Sequence, residues 1–336
     1  MHATRLWVTA PYEVTVQPFE LPSTPLDGQV LIENDRSLIS AGTELAIVMG
    51  THAGFATGAA WPRYPLAPGY TAAGRVLQVG AGVTDLAPGD RVLSEAEHAS
   101  HAVVEASRVL RVPDDCDLDD ALLAHLASIP LFGLRQARPQ LGEGLVVFGL
   151  GLIGALAARA GWLSGCRPVL GVDPIEERRR LAAGARIVPV DPGNDDVVEV
   201  YRQLAGGRLP EIVVEATGVP AVLPLALRVA GPMARVVLLG STRGRVEIDP
   251  YTDIHRKGVT VIGAHDSFTP VNATPQTPFS VNRERLLALA LVAEGTLSVN
   301  GMISHHITPG EARATYRALA DRSPGYMGVI IDWTRS

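Results

Sequence analysis

The stretch Leu145-Val146-Val147-Phe148-Gly149-Leu150-Gly151-Leu152-Ile153-Gly154 decides the fold of this 336-residue chain. Its four leading apolar residues predict a buried strand, and the Ala-rich segment after Gly154 predicts a helix over 155–163. The three glycines between them have the G-x-G-x-x-G spacing of a dinucleotide-binding turn. The first glycine permits the tight turn, the second lets backbone approach a pyrophosphate, and the third lets helix pack on strand. The stretch therefore predicts a nucleotide-binding domain.

The next predicted strand, residues 168–172, is followed directly by Asp173. A carboxylate there accepts hydrogen bonds from the adenosine ribose and would repel a 2′-phosphate, so it favours NAD(H) over NADP(H). Arg178 follows closely, and an arginine near this site can hold a 2′-phosphate, so NADP(H) stays open. A domain without cofactor, in which the glycines only form turns, is the other alternative. The predicted cofactor-binding residues are Gly149, Gly151, Leu152, Ile153, Asp173, Arg178, Thr217, Gly240 and His265.

The sequence on the two sides of this stretch has different patterns. Before about residue 115, short β-rich runs such as Val30-Leu31-Ile32 are separated by turn signals. A helix is predicted over 119–137, where Pro130 should kink or divide it. From Leu145 to Ile262, apolar strands alternate with helical segments, which predicts a parallel sheet with helices on both faces. The fold class is therefore α/β, with a doubly wound domain and a separate β-rich domain.

Composition excludes several classes of function. With 47 % hydrophobic and 19 % charged residues, the chain should form a well-filled core. A net charge of −6 does not favour nucleic acid or an anionic membrane as the partner. The longest uncharged apolar stretch, residues 145–158, is shorter than the about 20 residues that span a bilayer. We therefore expect a cytoplasmic protein without membrane insertion that acts on a small molecule.

Scarce cysteine and lysine narrow the chemistry further. Cys116 and Cys166 are the two cysteines, so a disulfide framework or a four-cysteine zinc site cannot form. Lys257 is the single lysine, which excludes a Gly-Lys-Ser/Thr phosphate loop and leaves one candidate for a Schiff base. The Asn272-Ala273-Thr274 sequon is interpreted as accidental.

Glycines and a Gly-Asp-Arg-Val turn in the first third of the chain resemble the medium-chain dehydrogenase/reductase superfamily. They lie in residues 65–70, 73–76 and 88–92. The resemblance implies a GroES-like catalytic domain at 1–124 and 267–336, with an inserted Rossmann domain at 125–266. It also implies a substrate cleft between the domains and a homodimer joined through edge strands near 259–262.

The positions of the metal ligands differ from those of zinc alcohol dehydrogenases in this superfamily. Ala41 stands where the first cysteine ligand precedes Gly-Thr-Asp, and Tyr70 stands where Gly-His-Glu carries the histidine ligand. His125 aligns with the third ligand, a glutamate in polyol dehydrogenases. Because a catalytic zinc site needs three protein ligands, the chain resembles a zinc-free member.

Among zinc-free members, the chain is similar to the bacteriochlorophyllide dehydrogenase branch, which oxidises a secondary hydroxyethyl group to a ketone. The similarity lies in residues 39–44, 65–70, 300–305 and 331–333. It implies the interconversion of a secondary alcohol and a ketone, and related zinc-free members act on sugars or biosynthetic intermediates. Together with Asp173, this leads us to expect an NAD-dependent enzyme that acts on a biosynthetic intermediate or a sugar- or cyclitol-like substrate. A zinc-free, NADPH-dependent enoyl or quinone reductase and a non-catalytic nucleotide-binding redox sensor remain alternatives.

The family positions also suggest catalytic residues. Thr43 would bond the substrate hydroxyl, while Tyr70 and His125 would face one point in the cleft. Histidine, with an ordinary pKa of about 6.5 against about 10 for tyrosine, is the expected proton acceptor, and Tyr70 the hydrogen-bond donor. A turn threonine, a packing tyrosine and a core histidine are the structural alternatives. Further candidate substrate contacts, of which the first could instead be an ion-pair partner, are Glu44, His52, Trp61, Tyr64 and Asp266.

Overall fold

The computed structural model describes residues 1–270 and 273–335. The chain forms two compact units, Met1–His125 with Asn300–Ser336 and Leu126–Val299, which we call the first and second unit. The second unit extends beyond the domain boundary expected at 266/267 and ends at Val299. Asn272 of the sequon lies outside the described residues.

The bounds of the regular elements follow the predicted pattern of β-rich ends and a strand–helix middle. In chain order, the strands are β1 (His2–Ala10), β2 (Glu13–Glu20), β3 (Gln29–Ile39), β4 (Ala72–Val79), β5 (Arg91–Ser94), β6 (His101–Glu105), β7 (Val109–Arg111), β8 (Leu145–Phe148), β9 (Val169–Val172), β10 (Val188–Val190), β11 (Ile212–Glu215), β12 (Arg235–Leu238), β13 (Thr260–Gly263), β14 (Ile303–Ile307) and β15 (Gly328–Asp332). The α-helices are α1 (Ala41–Val48), α2 (Ala53–Thr57), α3 (Leu118–Ala137), α4 (Leu152–Leu163), α5 (Glu176–Ala183), α6 (Val197–Leu204), α7 (Val222–Val229), α8 (Val281–Ala293) and α9 (Ala312–Ala320).

The first unit is built on a seven-stranded sheet to which both ends of the chain contribute. The strand order is β14-β15-β3-β4-β5-β7, and β6 pairs with β3. The C-terminal strand β15 lies antiparallel to β3, with Ile331 opposite Ser37. The core of the first unit includes Leu6, Ile39 and Tyr316, which come from widely separated parts of the chain. This arrangement brings the C-terminal segment next to the residues that precede α1.

The second unit contains a six-stranded parallel sheet in the order β10-β9-β8-β11-β12-β13. Separate apolar clusters cover its two faces; Val147 belongs to one and Val146 to the other. A parallel strand that is buried on both faces needs a continuous apolar run, which explains Leu145–Phe148. The predicted α/β class, a GroES-like unit plus a doubly wound unit, is confirmed.

Helix boundaries differ from the sequence predictions in two places. Helix α4 begins at Leu152, earlier than the predicted start at residue 155, because the last part of the glycine stretch is already helical. Helix α3 continues past Pro130, so this residue does not divide it. Within the described part of the chain, no helix is both long and apolar enough to cross a membrane.

Candidate cofactor and catalytic sites

The glycine turn of the second unit connects β8 to α4, and its first and third glycines leave no room for a side chain. Gly149 has φ +88°, and a Cβ there would lie 2.8 Å from Cγ2 of Thr217. A Cβ on Gly154 would lie 1.8 Å from the carbonyl oxygen of Gly149, so only glycine lets the helix pack this closely. These contacts explain the first and third glycines of the motif.

The middle glycine has a different role, because it caps α4 and leaves open space beside the backbone. At Gly151, the atom nearest to a built Cβ is Nη1 of Arg178, at 3.9 Å. The helix begins at the next residue, Leu152, so its first N–H groups and positive end face this space. Such a helix end suits a pyrophosphate, and the turn therefore fits a dinucleotide.

Asp173 lies directly after β9 and is only 2 % exposed. Its Oδ2 accepts a hydrogen bond from the Leu150 N–H at 2.7 Å, and its Oδ1 accepts one from Ile175 N–H at 2.8 Å. Nη1 of Arg178 lies 3.5 Å from Oδ2. Among the described residues, the buried Nε of Arg178 has no hydrogen-bond partner. The structure thus brings Leu150, Asp173 and Arg178 together beside Gly151.

The predicted residues Thr217 and Gly240 follow β11 and β12 at the carboxyl edge of the sheet. The backbone and hydroxyl of Thr217 both donate to the Glu215 carboxylate, and Gly240 N–H donates to the Glu215 carbonyl at 2.8 Å. Glu215 was not among the predicted residues, although a charged residue at the end of the apolar run 212–214 is a signal visible in the sequence.

His265 and Asp266 follow β13 and lie at the surface. Nδ1 of His265 lies 2.8 Å from Oγ of Ser267 and 3.1 Å from Oδ1 of Asp266. The His265 side chain is 65 % exposed, so solvent reaches it readily. The two residues bond locally, and their predicted roles toward cofactor and substrate stay predictions.

In the first unit, Tyr70 and His125 lie close together, as their family positions imply. Their ring centroids are 5.9 Å apart, with an interplanar angle of 60°. The Tyr70 hydroxyl donates a hydrogen bond to Oγ of Ser40, the residue directly before α1. Thr43, half-buried, lies in the first turn of that helix. Ser40 was not identified from the sequence.

The expectation that His125 has the ordinary pKa of histidine is wrong for the folded chain. The side chain is 6 % exposed on α3, and burial lowers its pKa to about 4. Desolvation disfavours the charged imidazolium, because the interior solvates it less well than water. His125 is therefore neutral at physiological pH.

Glu44 lies in a buried network that joins α1 to the C-terminal segment. Its Oε2 lies 2.8 Å from Nε2 of His98 and accepts the Tyr316 hydroxyl, while its Oε1 accepts Ser40 N–H at 2.7 Å. Burial alone would raise the pKa of the Glu44 carboxyl, but the His98 charge and these hydrogen bonds together lower it. With 1 % exposure, Glu44 does not fit the predicted substrate contact; the ion-pair interpretation agrees with its geometry.

The remaining predicted substrate residues lie in the loop between α1 and β4. Nδ1 of His52 accepts the Gly54 N–H at 3.1 Å and caps α2, and its ring contacts Trp61 edge-on at 5.1 Å. Tyr64 stacks on Phe55 at 4.7 Å. Trp61 is 55 % exposed, so part of its ring remains available to a ligand.

The residues present do not fit a catalytic zinc ion. Across residues 1–270 and 273–335, no group of three or more His, Cys, Asp or Glu side chains is arranged to hold a metal. Ala41 supplies no ligand atom, and the Tyr70 hydroxyl is bonded to Ser40. A zinc site needs three protein ligands in tetrahedral geometry, which this set does not provide.

Comparisons with family models agree with the two-part architecture. The model described as "Alcohol dehydrogenase GroES-like domain" matches residues 27–114, and "Zinc-binding dehydrogenase" matches residues 149–269. The second of these begins at the glycine turn. The first match lies within the β-rich first unit and the second within the doubly wound second unit.

Curated relatives are similar to the chain at low identity. (R,R)-butanediol dehydrogenase of Bacillus subtilis is 26 % identical over 274 residues, covering 72 % of this chain and 74 % of that protein. 2-desacetyl-2-hydroxyethyl bacteriochlorophyllide A dehydrogenase of Cereibacter sphaeroides is 26 % identical over 352 residues, covering 99 % of each. The second similarity is to the branch suggested by the sequence motifs.

Solved structures share the fold. Galactitol-1-phosphate dehydrogenase from Escherichia coli superposes with a TM-score of 0.82 at 23 % identity, covering 98 % of this chain and 99 % of that one. A putative zinc-binding dehydrogenase from Sinorhizobium meliloti 1021, bound to NADP, has a TM-score of 0.82 at 21 % identity and covers 99 % of both.

Proposed function

Because the chain belongs to the medium-chain dehydrogenase/reductase superfamily, we propose that it interconverts a secondary alcohol and a ketone by hydride transfer with a nicotinamide cofactor and without zinc. The observation that carries the proposal is the Tyr70–His125 pair, with ring centroids 5.9 Å apart, at two of the positions where zinc relatives bind the metal. Hydrogen-bonding groups there can handle the substrate proton that a metal would otherwise stabilise.

The second unit would hold the cofactor at the carboxyl edge of its sheet. The pyrophosphate fits the helix end at Gly151, and Asp173 would accept the adenosine ribose hydroxyls. Thr217 and Gly240 would line the nicotinamide half. When bound, nicotinamide supplies the acceptor or donor of the hydride. The negative charge of Asp173 supports NAD(H) as the preferred form, and Arg178 is the residue that would tolerate a 2′-phosphate.

The first unit would manage the hydroxyl and its proton. Thr43 orients the substrate hydroxyl, and neutral His125 accepts the proton. Tyr70 would turn its hydroxyl from Ser40 to donate a hydrogen bond to the substrate oxygen. A pKa of about 4 keeps His125 neutral at neutral pH, with one ring nitrogen able to accept a proton, although it makes the imidazole a weaker base than usual. Positioned acid–base groups of this kind contribute typically 10²–10⁴-fold to rate.

Substrate class and assembly are part of the same proposal. The relatives named above act on butanediol, galactitol 1-phosphate and a bacteriochlorophyllide, which supports a secondary alcohol of biosynthetic or sugar-like character. The homodimer would form along β13, which ends the described sheet and exposes 38 % of Val261. An unpaired strand edge with apolar side chains favours pairing with a second copy.

The test is an activity screen of the purified protein with a panel of secondary alcohols and NAD⁺, following the absorbance of reduced nicotinamide. Ketone formation matched by cofactor reduction supports the proposal. Consumption of NADPH with an activated alkene, and none with ketones, would instead identify an enoyl or quinone reductase. Tight cofactor binding without turnover on any panel would identify a non-catalytic sensor.

A further inference from the structure

Glu215 is a charged side chain in one of the least accessible places in the second unit. It ends β11, which lies between β8 and β12, and it is 0 % exposed. Burial of a carboxylate is costly unless its oxygens receive hydrogen bonds or a countercharge. The groups that bond to Glu215 therefore indicate its role.

The Glu215 carboxylate receives hydrogen bonds from two loops. Oε1 accepts Thr217 N–H at 2.7 Å, Gly218 N–H at 3.1 Å and the Thr217 hydroxyl. Oε2 accepts the Thr242 hydroxyl at 2.8 Å. The backbone carbonyl of Glu215 also accepts Gly240 N–H at 2.8 Å. One residue thus bonds both the loop after β11 and the loop after β12.

These loops pack against each other with no spare space. A Cβ on Gly240 would lie 2.6 Å from the backbone nitrogen of Gly218. A Cβ on Gly218 would lie 3.0 Å from the carbonyl oxygen of Ser241. Thr217 in turn contacts the glycine turn, since its Cγ2 lies 2.8 Å from a Cβ built on Gly149. A shift of either loop would therefore disturb the other.

The strand order assigns these loops to one half of a dinucleotide. The glycine turn follows β8, Asp173 follows β9 on one side, and Glu215 ends β11 on the other side. Ligands of open parallel sheets bind outside the carboxyl ends of the strands. With adenosine at Asp173 and pyrophosphate at the glycine turn, the other half of the cofactor extends over β11 and β12.

We propose that Glu215 is a positioning residue that holds Thr217 and the loop at Gly240 in the arrangement that binds the nicotinamide half of the cofactor. The role rests on the proposed nicotinamide-dependent function. Holding the loops before binding lowers the entropy that the ligand must remove. Without the carboxylate, several buried donors lose their acceptor, and the loops relax away from that arrangement.

The experiment compares NADH with ADP-ribose, which lacks nicotinamide, by calorimetric titration of wild type and Glu215→Gln. We expect the dissociation constant for NADH to rise about tenfold, because the amide loses acceptor capacity toward several donors. The constant for ADP-ribose should stay within about twofold, as its contacts at Asp173 and the glycine turn are kept. Glu211→Gln is the matched control, since Glu211 precedes the other end of β11 and bonds Gly144 N–H at 2.7 Å.

The outcomes distinguish failure of the positioning role from failure of the proposed function. If Glu215→Gln weakens the binding of both ligands equally, or of neither, the positioning role is overturned. If wild type binds neither ligand, the proposed function fails and takes this role with it. Should Glu215→Gln not fold, as judged by circular dichroism, Thr242→Val removes the hydroxyl that donates to Oε2. For the proposal to stand, that variant must bind NADH more weakly than wild type and bind ADP-ribose with unchanged affinity.

Discussion

The carboxylate of Asp173 accepts a hydrogen bond from the backbone N–H of Leu150 at 2.7 Å, so the end of β9 is bonded directly to the glycine turn after β8. The proposed ribose-binding residue therefore also fixes the loop proposed to bind the pyrophosphate. A substitution at Asp173 acts on both features, and a variant that keeps an acceptor oxygen separates them.

The first prediction concerns the cofactor form. Asp173→Ser should narrow the preference for NADH over NADPH, because the loss of a charged hydrogen bond costs roughly 1.5–3 kcal/mol, on the order of 10–150-fold in affinity. Asp173→Asn keeps an oxygen that can accept a hydrogen bond from the Leu150 N–H, so it should lose less of the affinity for NADH than Asp173→Ser. Titration of both reduced cofactors measures the effect. Equal or tighter binding of NADPH by wild type would refute the preference.

Arg178 should favour the binding of NADPH, whereas Asp173 favours NADH. Its Nη1 lies 3.5 Å from Asp173, and its buried Nε has no hydrogen-bond partner among the described residues, so the side chain has donors to offer a 2′-phosphate. Arg178→Ala should lower the affinity for NADPH by about tenfold and the affinity for NADH by less, as expected for the loss of one charge-assisted contact. Arg180→Ala, at a 68 % exposed side chain, is the control. Unchanged NADPH binding in Arg178→Ala would rule out this contact.

Metal removal should leave the protein unaffected. The purified chain should contain far less than one zinc per subunit by elemental analysis, and a chelator should not change its turnover. The reason is the donor set, since Ala41 offers no ligand and Tyr70 bonds Ser40. About one zinc per chain, with activity lost in chelator and restored by zinc, would contradict the proposed mechanism.

Burial of His125 should make the stability of the protein depend on pH. Its pKa is about 4 in the folded chain and about 6.5 in the unfolded chain. Between these values, the unfolded chain binds the proton and the folded chain does not. The contribution of His125 to the free energy of unfolding is fully present above about pH 6.5 and is lost as the pH falls toward 4.

Unfolding by urea at two pH values measures this dependence. Between about pH 7.5 and about pH 5, wild type should lose about 2 kcal/mol from this group. His125→Asn should lose less over the same interval, and His2→Ala, at a 91 % exposed side chain, should behave as wild type. If His125→Asn shows the same loss as wild type, His125 does not titrate as its burial indicates.

The sequence was sufficient for the fold because the decisive patterns are local. The apolar run Leu145–Phe148, the glycines after it and Asp173 lie within one strand–helix–strand segment, and each has a direct physical reason to occupy its position. The pairing of Tyr70 with His125 came from family positions. Neither propensity nor periodicity would have brought them together.

What the sequence could not provide depends on long-range contacts. Tyr316 reaches Glu44 and its partner His98 from the C-terminal segment, 272 positions away in sequence, and no spacing predicts that contact. The lowered pKa of His125 follows from its burial in the folded chain, which the sequence does not show. Glu215 was readable as an anomaly in an apolar strand, but its hydrogen-bond partners were not.

The last prediction concerns the proton of the substrate alcohol. If His125 accepts it, His125→Ala should lower kcat by roughly 10²-fold or more while cofactor binding stays unchanged. The pH–rate profile of kcat/KM for wild type should show an ionisation at about 4, the value set by burial of the imidazole. An ordinary histidine would place that ionisation near 6.5. Because carboxyl groups also titrate near 4, the ionisation is assigned to His125 by its absence from the profile of His125→Ala.

Tyr70 provides the complementary measurement, because its hydroxyl donates to Ser40 and its ring lies beside His125. Tyr70→Phe should lower kcat by a smaller factor than His125→Ala, since it removes one hydrogen bond to the substrate oxygen and leaves the base in place. Near-normal turnover in His125→Ala with none in Tyr70→Phe would reverse the two roles. If both variants keep wild-type turnover, proton transfer occurs elsewhere, and the assignment of this pair to the active site is wrong.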